Sequence, residues 1–347
     1  MPPKPYDPPT AQRRREYACF RAPGPIEIDG DLSKPAWRAA PWTEAFVDIE
    51  GDVRPMPRHQ TRAKMLWDDE CFYVAAELDE PHLWGTLTEH DSIVYHDNDF
   101  EVFLNPTGDN HNYYELEINA LGTVFDLYLP KPYRDGGPAD HDWNVVGLRK
   151  GVRLDGSLNN PHDVDRGWSV ELAFPWRAFD RHVRRDGAFV PAAPPRAGEQ
   201  WRVNFSRVQW DLDVADGAYR KIAGRPEHNW VWSPQGLIDM HRPEMWGTVQ
   251  FSEAEAGTEA AAREHVLADR TATARRILHA TYYAQARHRA ERGTWARELS
   301  TLVHLGWLGA DAAAVTVLRA TPDGWDAWTR EAGRRVWIRE DSLVWVD

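Results

Sequence analysis

The sequence has few of the residues that build cofactor sites or disulfide frameworks. Its 347 residues include two cysteines, Cys19 and Cys71. These are too few for a zinc cluster or a set of disulfides, and we expect two buried free thiols rather than a bridge. The sequence has no Gly-x-Gly-x-x-Gly motif, no P-loop, no Gly-x-Ser-x-Gly elbow and no His-x-x-x-His pair. Most cofactor-dependent and acyl-transfer enzymes, and the zinc hydrolases, are therefore excluded.

Long apolar runs and an excess of positive charge are also missing. No run of about 18 apolar residues predicts a membrane span. The start of the chain lacks the apolar segment of a secretory signal, so the location is either cytoplasmic or that of a mature exported form. The net charge is −13, and nearly all of the excess acid lies in residues 1–252. Because such a surface repels phosphate backbones and anionic lipids, we expect neither nucleic acid nor membrane as a partner, whereas neutral sugars and divalent cations are compatible.

Composition and residue pattern divide the chain into three segments. Residues 1–20 are rich in proline and basic residues, which predicts a flexible or wrapped arm. Residues 21–252 consist of many short strands separated by turns, such as Arg62–Trp67 and Cys71–Leu78 on either side of Asp68–Glu70. This pattern predicts a mainly β fold, a two-sheet antiparallel β-sandwich. The predicted loops are Tyr133–Asp142 and Pro191–Pro195.

Residues 253–347 are predicted to form a helical extension with a small β-meander. Apolar residues in Glu253–His288 recur at spacings of three to four, which indicates an amphipathic helix. Thr294 is a candidate N-cap for a second helix, and the two would form a helical hairpin. Strand-like sequence returns between Trp325 and Trp345. We expect this extension to be a structural appendage, or else an element through which the chain forms a homo-oligomer.

Two predicted strands place carboxylates opposite each other. Because side chains alternate between the faces of a strand, pairing 99–104 with 113–119 puts Glu101 opposite Glu117 and Asp99 opposite Asn119. Directly opposed like charges are destabilising, so we expect this face to recruit a cation. The candidates are Lys64, Arg202, Arg207 or a bound metal. The face is then either a solvated salt-bridge network or a polar surface that binds a ligand.

Tryptophan is frequent, with 18 residues. We expect the tryptophans inside predicted strands to fill the core; these are Trp67, Trp168 and Trp201. Other aromatic residues lie in turn-rich segments beside charged and amide side chains; these are Tyr95, Trp210, Trp230 and Trp232. Sugar rings stack their C–H faces on aromatic rings, and their hydroxyls bind carboxylates, guanidinium groups or amides. The second group is therefore a candidate set of saccharide platforms.

A short acidic stretch offers ligands for a metal ion. The run His96-Asp97-Asn98-Asp99 supplies the oxygen ligands that calcium prefers, but it lacks the glycine and the distal glutamate of an EF-hand loop. We therefore expect a structural Ca²⁺, if one is bound, at Asp97 and Asp99.

An ordered series of motifs resembles the family 9 carbohydrate-binding modules. The series extends from about residue 20 to 252, and its parts are Ile28–Leu32, Pro35–Trp37, Leu66–Val74, Asp99–Leu104, Trp168–Glu171 and Arg242–Gly247. The resemblance implies a two-sheet antiparallel β-sandwich that binds sugars, often contains structural calcium and is commonly attached to glycoside hydrolases.

The resemblance also implies a position for the ligand. Family members that bind sugar ends hold the ring between two tryptophans, and the matching positions here carry Tyr95 and the pair Met240 and His241. Glu101 and Asn119 match polar positions of the family's binding face, and Glu117 stands where the family has an arginine. With the residues proposed above, the predicted carbohydrate site comprises Tyr95, Asp99, Glu101, Glu117, Asn119, Arg207, Trp210, Trp230 and His241.

Three functions follow from these observations. The first is a carbohydrate-binding protein linked to saccharide degradation or uptake, with a mono- or oligosaccharide on the polar face of one sheet. The second is a glycoside hydrolase that uses Glu101 and Glu117 as its catalytic pair, because facing residues on adjacent strands are close enough for that chemistry, with His241 or Tyr113 as proton carriers. The third is a structural or interaction module whose acidic face binds calcium or a partner.

Overall fold

The computed structural model describes residue 4, residues 6–180 and residues 194–347. The beginning of the predicted arm, residues 1–3 and 5, lies outside the described residues. So does most of the predicted loop Pro191–Pro195, namely residues 191–193.

The described residues are mainly β-structure, as expected. The strands of the larger part of the chain are β1 (Glu16–Arg21), β2 (Val47–Asp48), β3 (Thr61–Trp67), β4 (Cys71–Asp79), β5 (Asp99–Asn105), β6 (Tyr113–Asn119), β7 (Val124–Leu129), β8 (Arg149–Asp155), β9 (Gly167–Pro175), β10 (Gln200–Gln209), β11 (Leu212–Ala215), β12 (Ala218–Lys221), β13 (His228–Val231) and β14 (Gly247–Glu255). The C-terminal strands are β15 (Val317–Ala320), β16 (Trp325–Glu331), β17 (Arg334–Arg339) and β18 (Val344–Val346). The helices are α1 (Pro35–Ala39), α2 (Glu259–Ala262), α3 (Ala272–Arg292), α4 (Leu299–His304) and α5 (Ala310–Val315).

Most of the strands join into one curled sheet, where the sequence predicted two separate sheets. The order is β7-β6-β5-β10-β14-β1-β3-β4-β9-β8, with β13 also paired to β10 and β2 paired to β13. The strand β1 connects the two halves, because it lies parallel to both β14 and β3. The other pairings in the sheet are antiparallel. Residues 16–20 of the predicted arm are thus part of the sheet.

The two halves of the curled sheet enclose one apolar core. Inward-facing residues of β3, β4 and β9 meet those of β5, β6, β10 and β14 in a single cluster. Trp67, Trp168 and Trp201 belong to it and are at most 4% exposed, which confirms the prediction for the strand-bound tryptophans. Burial of apolar surface in such a cluster is the dominant favourable contribution to folding.

The hairpin between β3 and β4 forms where the sequence predicted it. Asp68 Oδ1 accepts hydrogen bonds from the backbone N–H groups of Glu70 and Cys71, each at 2.8 Å, and so fixes the turn. The Tyr73 hydroxyl donates to Asp68 Oδ2 at 2.7 Å. Cys71 and Cys19 are both buried free thiols, as expected.

The C-terminal segment contains one long helix and a four-stranded meander. The meander β15-β16-β17-β18 confirms the prediction for Trp325–Trp345. The long helix α3 begins at Ala272, later than the predicted start, and ends at Gly293, whose φ of +76° suits a left-handed C-cap. The following helices, α4 and α5, have six residues each, and α4 begins after Glu298 rather than at Thr294. The division of the chain after residue 252 stays a prediction.

Hydrogen bonds hold this segment against the curled sheet. The Tyr282 hydroxyl of α3 donates to Asp135 Oδ1 at 2.5 Å, and the Val344 backbone N–H donates to the Asp109 carbonyl at 3.0 Å. Among the described residues, every helix is too short or too polar to cross a membrane.

Candidate functional site

The polar faces of β5 and β6 meet in the predicted register. Asp99 lies opposite Asn119, Glu101 opposite Glu117, and Phe103 opposite Glu115. The alternate residues of both strands point into the core. The carboxylates therefore stand on the outer face of this half of the sheet, as the alternation of side chains predicted.

A cleft of about 700 Å³ opens over this outer face. Its walls come from β5, β6 and β7 and from loops around residues 91–95, 133, 227–229 and 238–241. Its acidic residues are Asp91, Glu101, Glu115, Glu117, Glu227 and Asp239, and its aromatic and histidine residues are Tyr95, Phe103, Phe125, Tyr133, His141 and His241. We call it the acidic cleft, because no lysine or arginine lines it within the described part of the chain.

The carboxylates at the floor of the acidic cleft are buried close together. Oxygens of Asp99, Glu101 and Glu117 all lie within 4.8 Å of one another, and these residues are at most 5% exposed. Burial raises the pKa of Glu101 to about 7. Burial and then the neighbouring carboxylates raise the pKa values of Asp99, Glu115 and Glu117 well above their usual range. Burial and the neighbouring carboxylates therefore favour the protonated form of these four carboxyl groups.

Two oxygens at or beneath this floor have no hydrogen-bond partner among the described residues. Asp99 Oδ1 accepts from the Val208 backbone N–H at 3.1 Å, but Asp99 Oδ2 is unpartnered. Glu115 Oε2 is also unpartnered among the described residues. Unsatisfied buried oxygens are costly, so the floor is a place where a ligand or an ion would supply missing contacts.

The cations expected to compensate this face lie elsewhere, and that prediction is wrong for all three residues. Lys64 lies over the Trp42 ring, with its Nζ 4.3 Å from the ring centre. Arg207 pairs with Glu80 at 3.0 Å, because it points to the side of β10 opposite to Ser206, the residue that pairs with Glu101. Arg202 pairs with Asp269 at 3.1 Å; it lies four residues before Ser206, or roughly 13 Å along the strand.

His241 stands in the wall of the acidic cleft with two possible proton partners. Its Nδ1 lies 2.9 Å from the Tyr113 hydroxyl, within hydrogen-bonding distance, and its Nε2 lies 4.0 Å from Glu115 Oε2. Burial lowers the pKa of His241 to about 4, so the ring is neutral at pH 7. The Tyr133 ring packs against it edge-on, with the ring centres 4.5 Å apart.

Tyr95 lines the acidic cleft beside Glu117 and is held by two hydrogen bonds of its backbone. Its N–H donates to Glu117 Oε2 at 2.8 Å, and its carbonyl accepts from Trp210 Nε1 at 2.9 Å. The Tyr95 residue is 38% exposed, so its ring is accessible from the cleft. Trp210 supports this turn from outside the cleft lining, and Lys221 Nζ lies 3.6 Å from the centre of its ring.

Asn119 and Asp97 serve a neighbouring loop rather than the cleft. Asp97 accepts hydrogen bonds from the backbone and hydroxyl of Thr86 and from the Leu87 N–H, at 2.7 to 2.9 Å. Asn119 Nδ2 donates to the Leu87 carbonyl at 2.9 Å and to Asp97 Oδ2 at 3.0 Å. Because its oxygens are satisfied in this way, Asp97 does not fit the expected calcium site, whereas Asp99 belongs to the acid cluster.

Trp230 lies in the core, and its assignment to a turn-rich segment is wrong. It belongs to β13, which pairs with both β10 and β2, and it is 3% exposed. Trp232 follows that strand and is fully buried. The guanidinium of Arg207 lies over the Trp230 ring, 5.2 Å from its centre. Neither Trp230 nor Arg207 reaches the acidic cleft.

The acidic cleft includes residues that the sequence reasoning missed. Glu115 shares the face of Glu117 by simple alternation, so the pattern contained that signal. Tyr133, Glu227 and Asp239 come from separate loops, and their sequence neighbourhoods give no indication that they converge. Arg242, which does not line the cleft, pairs with Asp239 at 2.7 Å.

Comparison with known proteins supports the family resemblance for part of the chain. Residues 28–127 match the model of the family described as carbohydrate family 9 binding domain-like. The matched segment contains β5 and β6 and hence the floor of the acidic cleft. No curated protein sequence matches the chain.

Solved structures with a similar arrangement have low sequence identity. A protein of Bacteroides uniformis ATCC 8492, proposed to bind carbohydrate, is 17% identical with a TM-score of 0.49, over 69% of this chain and 100% of its own. A family 9 carbohydrate-binding module of Caldicellulosiruptor kristjanssonii in complex with cellotriose is 14% identical with a TM-score of 0.45, over 72% of this chain and 99% of its own. The same kind of module in complex with glucose is 14% identical with a TM-score of 0.44, over 70% and 99%.

Proposed function

We propose that the protein binds a mono- or oligosaccharide in the acidic cleft. The observation that carries this proposal is the convergence of Tyr95, Glu101, Glu117 and His241 on one cleft. His241 lies more than 120 positions after the other three residues, and Glu101 and Glu117 come from facing strands. The family match over residues 28–127 supports the same function.

The chemistry of the acidic cleft suits a sugar. Its volume of about 700 Å³ lies within the usual range for small-ligand sites. Carboxyl groups at the floor can donate and accept hydrogen bonds with sugar hydroxyls, and a carboxylate that a bound cation keeps ionised would form the stronger, charge-assisted bonds. Tyr95 and Tyr133 offer aromatic rings to the C–H faces of the sugar. The ligand would therefore lie between the two tyrosines with its hydroxyls towards Glu101 and Glu117.

We also propose that a divalent cation such as Ca²⁺ is held by Asp99, Glu101 and Glu117. Ligands bound to Ca²⁺ at 2.3–2.6 Å lie up to about 5 Å from one another, and the oxygens of this triad lie within 4.8 Å. The unpartnered Asp99 Oδ2 is a further observation that favours an ion. Such a cation would supply the positive charge that this floor lacks and would favour the ionised carboxylates.

Isothermal titration calorimetry with glucose, cellobiose and xylobiose tests the saccharide proposal. We expect Glu117→Gln and Tyr95→Ala to weaken binding by about tenfold or more. The matched control Glu253→Gln, on the other side of the sheet and paired with Arg21, should bind as the wild type does. Absence of heat with every sugar, or equal binding by all variants, would contradict the proposal.

Glutamine variants of Glu101 and Glu117 separate saccharide binding from the enzymatic alternative. In that alternative Glu101 and Glu117 are the catalytic pair, and Tyr113 or His241 carries the proton. Hydrolysis of aryl glycosides that Glu101→Gln and Glu117→Gln both abolish would establish the enzyme. If turnover is unchanged in both variants, these two residues are not its catalytic groups.

The biological role and the association of the chain are two further parts of the proposal. We propose that binding serves saccharide degradation or uptake. We also propose that copies of the chain associate through the C-terminal helices, where Val315 at the end of α5 is 53% exposed. Light scattering across a hundredfold range of protein concentration tests the association, and Val315→Asp should shift it towards the monomer. A constant monomeric mass would contradict it.

A further inference from the structure

A second pocket, of about 440 Å³, lies between the start of the chain and helix α3. Residues 8–14 form one wall, and the first turns of α3 form the other. The strand β10 and the loop after β5 close its floor through Arg202, Gly108 and Asn110. We call it the arm pocket. Its lining and the lining of the acidic cleft share no residue.

Arginine dominates the polar lining of the arm pocket. Arg14 comes from the arm, Arg202 from β10, and Arg275 and Arg276 from α3. They stand together in a protein whose net charge is −13, so general surface composition does not account for them. Arg202 is 8% exposed, and only 19% of the Arg275 side chain is exposed.

One carboxylate, that of Asp269, meets two of these guanidinium groups. Asp269 Oδ2 lies 3.1 Å from Arg202 Nη2 and 3.6 Å from Arg275 Nε. The other hydrogen bonds described for the cluster go to neutral oxygens. Arg275 Nη1 donates to the Gly108 carbonyl at 2.9 Å, and Arg14 Nη1 donates to the Glu244 carbonyl at 3.3 Å.

Glu244, the acidic residue among the described residues that line the pocket, is already engaged. Glu244 Oε2 pairs with Arg134 at 3.0 Å, and Glu244 Oε1 accepts a hydrogen bond from the Tyr283 hydroxyl. Within the described residues, Arg202 and Arg275 have Asp269 as their direct ion-pair partner and Arg14 has none, which leaves an excess of two positive charges over direct ion-pair partners.

The pKa values of the guanidinium groups agree with this excess of positive charge. Burial lowers the pKa of Arg202 to about 9, and the charges of Arg14 and Arg275 lower it further. Burial also lowers the pKa values of Arg14 and Arg275. A buried cation with a lowered pKa lacks sufficient negative charge nearby. An anion in the pocket would supply that charge.

We propose that the arm pocket binds a phosphate group, with Arg14, Arg202 and Arg275 as its direct ligands and Arg276 at its entrance. A phosphate monoester carries a charge of about −1.5 to −2 at pH 7, which matches the excess of two positive charges. Guanidinium groups bind phosphate oxygens through paired N–H donors. Because the arm supplies one of the ligands and α3 another, bound phosphate would fasten residues 8–14 against α3.

Calorimetric titration of the full-length protein with inorganic phosphate, at constant ionic strength, tests this proposal. We expect saturable binding that weakens about tenfold for each guanidinium removed, in Arg14→Gln and in Arg276→Gln. Both residues are partly or fully exposed, so neither change should prevent folding. Arg263→Gln is the matched control, because that side chain is 80% exposed and lies outside the pocket. Equal affinity in the wild type and both pocket variants would overturn the proposal.

A second measurement follows the arm itself. Trypsin cleaves after arginine, and Arg13, beside Arg14, is exposed. We expect phosphate to slow this cleavage in the wild type and in Arg263→Gln, and to slow it in Arg276→Gln only at about tenfold higher phosphate concentration. This comparison separates site binding from the general stabilisation that phosphate salts give to folded proteins. Unchanged cleavage in the wild type, or tighter binding of acetate than of phosphate, would overturn the proposal.

Discussion

Replacing Glu101 with glutamine should stabilise the protein at alkaline pH and change its stability little at pH 4.5. Burial raises the pKa of Glu101 from 4.5 to about 7 in the folded state. Between these values the unfolded chain has released a proton that the folded chain still holds. Folding stability therefore falls as the pH rises from about 4.5 to about 7, and the loss persists above pH 7.

The size of this effect follows from the shift. A difference of about 2.5 pKa units corresponds to about 3 kcal/mol at 1.36 kcal/mol per unit. Glutamine resembles the protonated carboxyl in shape and does not ionise. In Glu101→Gln the free energy of unfolding at pH 8 should therefore exceed that of the wild type by up to about 3 kcal/mol. At pH 4.5 the two proteins should agree within about 0.5 kcal/mol.

Urea unfolding followed by tryptophan fluorescence, at pH 4.5 and pH 8 in the presence of EDTA, measures this difference. The matched control is Glu77→Gln on β4, whose side chain is 49% exposed and should show no such pH dependence. A difference between wild type and Glu101→Gln that is the same at both pH values would refute the reasoning. So would destabilisation at pH 8. Added Ca²⁺ should stabilise the wild type more than the variant, because the proposed ion favours the ionised carboxylate.

Three further predictions concern the core and the site. Glu171→Gln should cost about 1–3 kcal/mol in urea unfolding, because the fully buried carboxylate accepts hydrogen bonds from Gly30 N–H at 2.6 Å and Lys34 Nζ at 2.7 Å, while Lys34 keeps its ion pair with Asp29. Trp201→Ala should cost about 3–5 kcal/mol in the same assay, because it opens a cavity in the aromatic core. Tyr95→Ala should leave the free energy of unfolding within about 1 kcal/mol of the wild type, so that its weaker saccharide binding in calorimetry reports on the cleft alone.

The site was predictable where it depends on neighbouring strands. Alternation and a short connection fix which residues of β5 and β6 face each other, so Glu101 and Glu117 could be paired from the sequence. The hairpin at Asp68 was predictable for the same reason, because its turn residue and its strands are adjacent in the chain. The pairing of strands that are adjacent in the chain is thus determined by their local sequence pattern.

Long-range pairing was not predictable in the same way. Glu16–Arg21 looks like part of a basic arm, yet it forms a strand because the edges of β14 and β3 are available on both sides. Trp230 looks like an exposed platform beside polar residues, yet β10 and β2 bury it. Arg207 looks like a partner for Glu101, yet it lies on the other side of β10. Each error concerns residues whose partners lie more than twenty positions away.

The carboxyl groups buried at the floor of the acidic cleft lower the stability of the folded protein. Asp99, Glu101, Glu115 and Glu117 are buried on one face, without a basic side chain among the residues described around them. Apolar residues at these positions would pack at lower cost, as Phe103 does on the same face. Local conflicts of this kind are expected at functional sites, where a ligand offsets them. A saccharide alone would leave these buried carboxyl groups without a positive charge beside them, whereas a cation at the triad would neutralise their ionised form. The charge of this floor is therefore the reason to measure sugar binding both with and without Ca²⁺, and to expect the tighter complex when the ion is present.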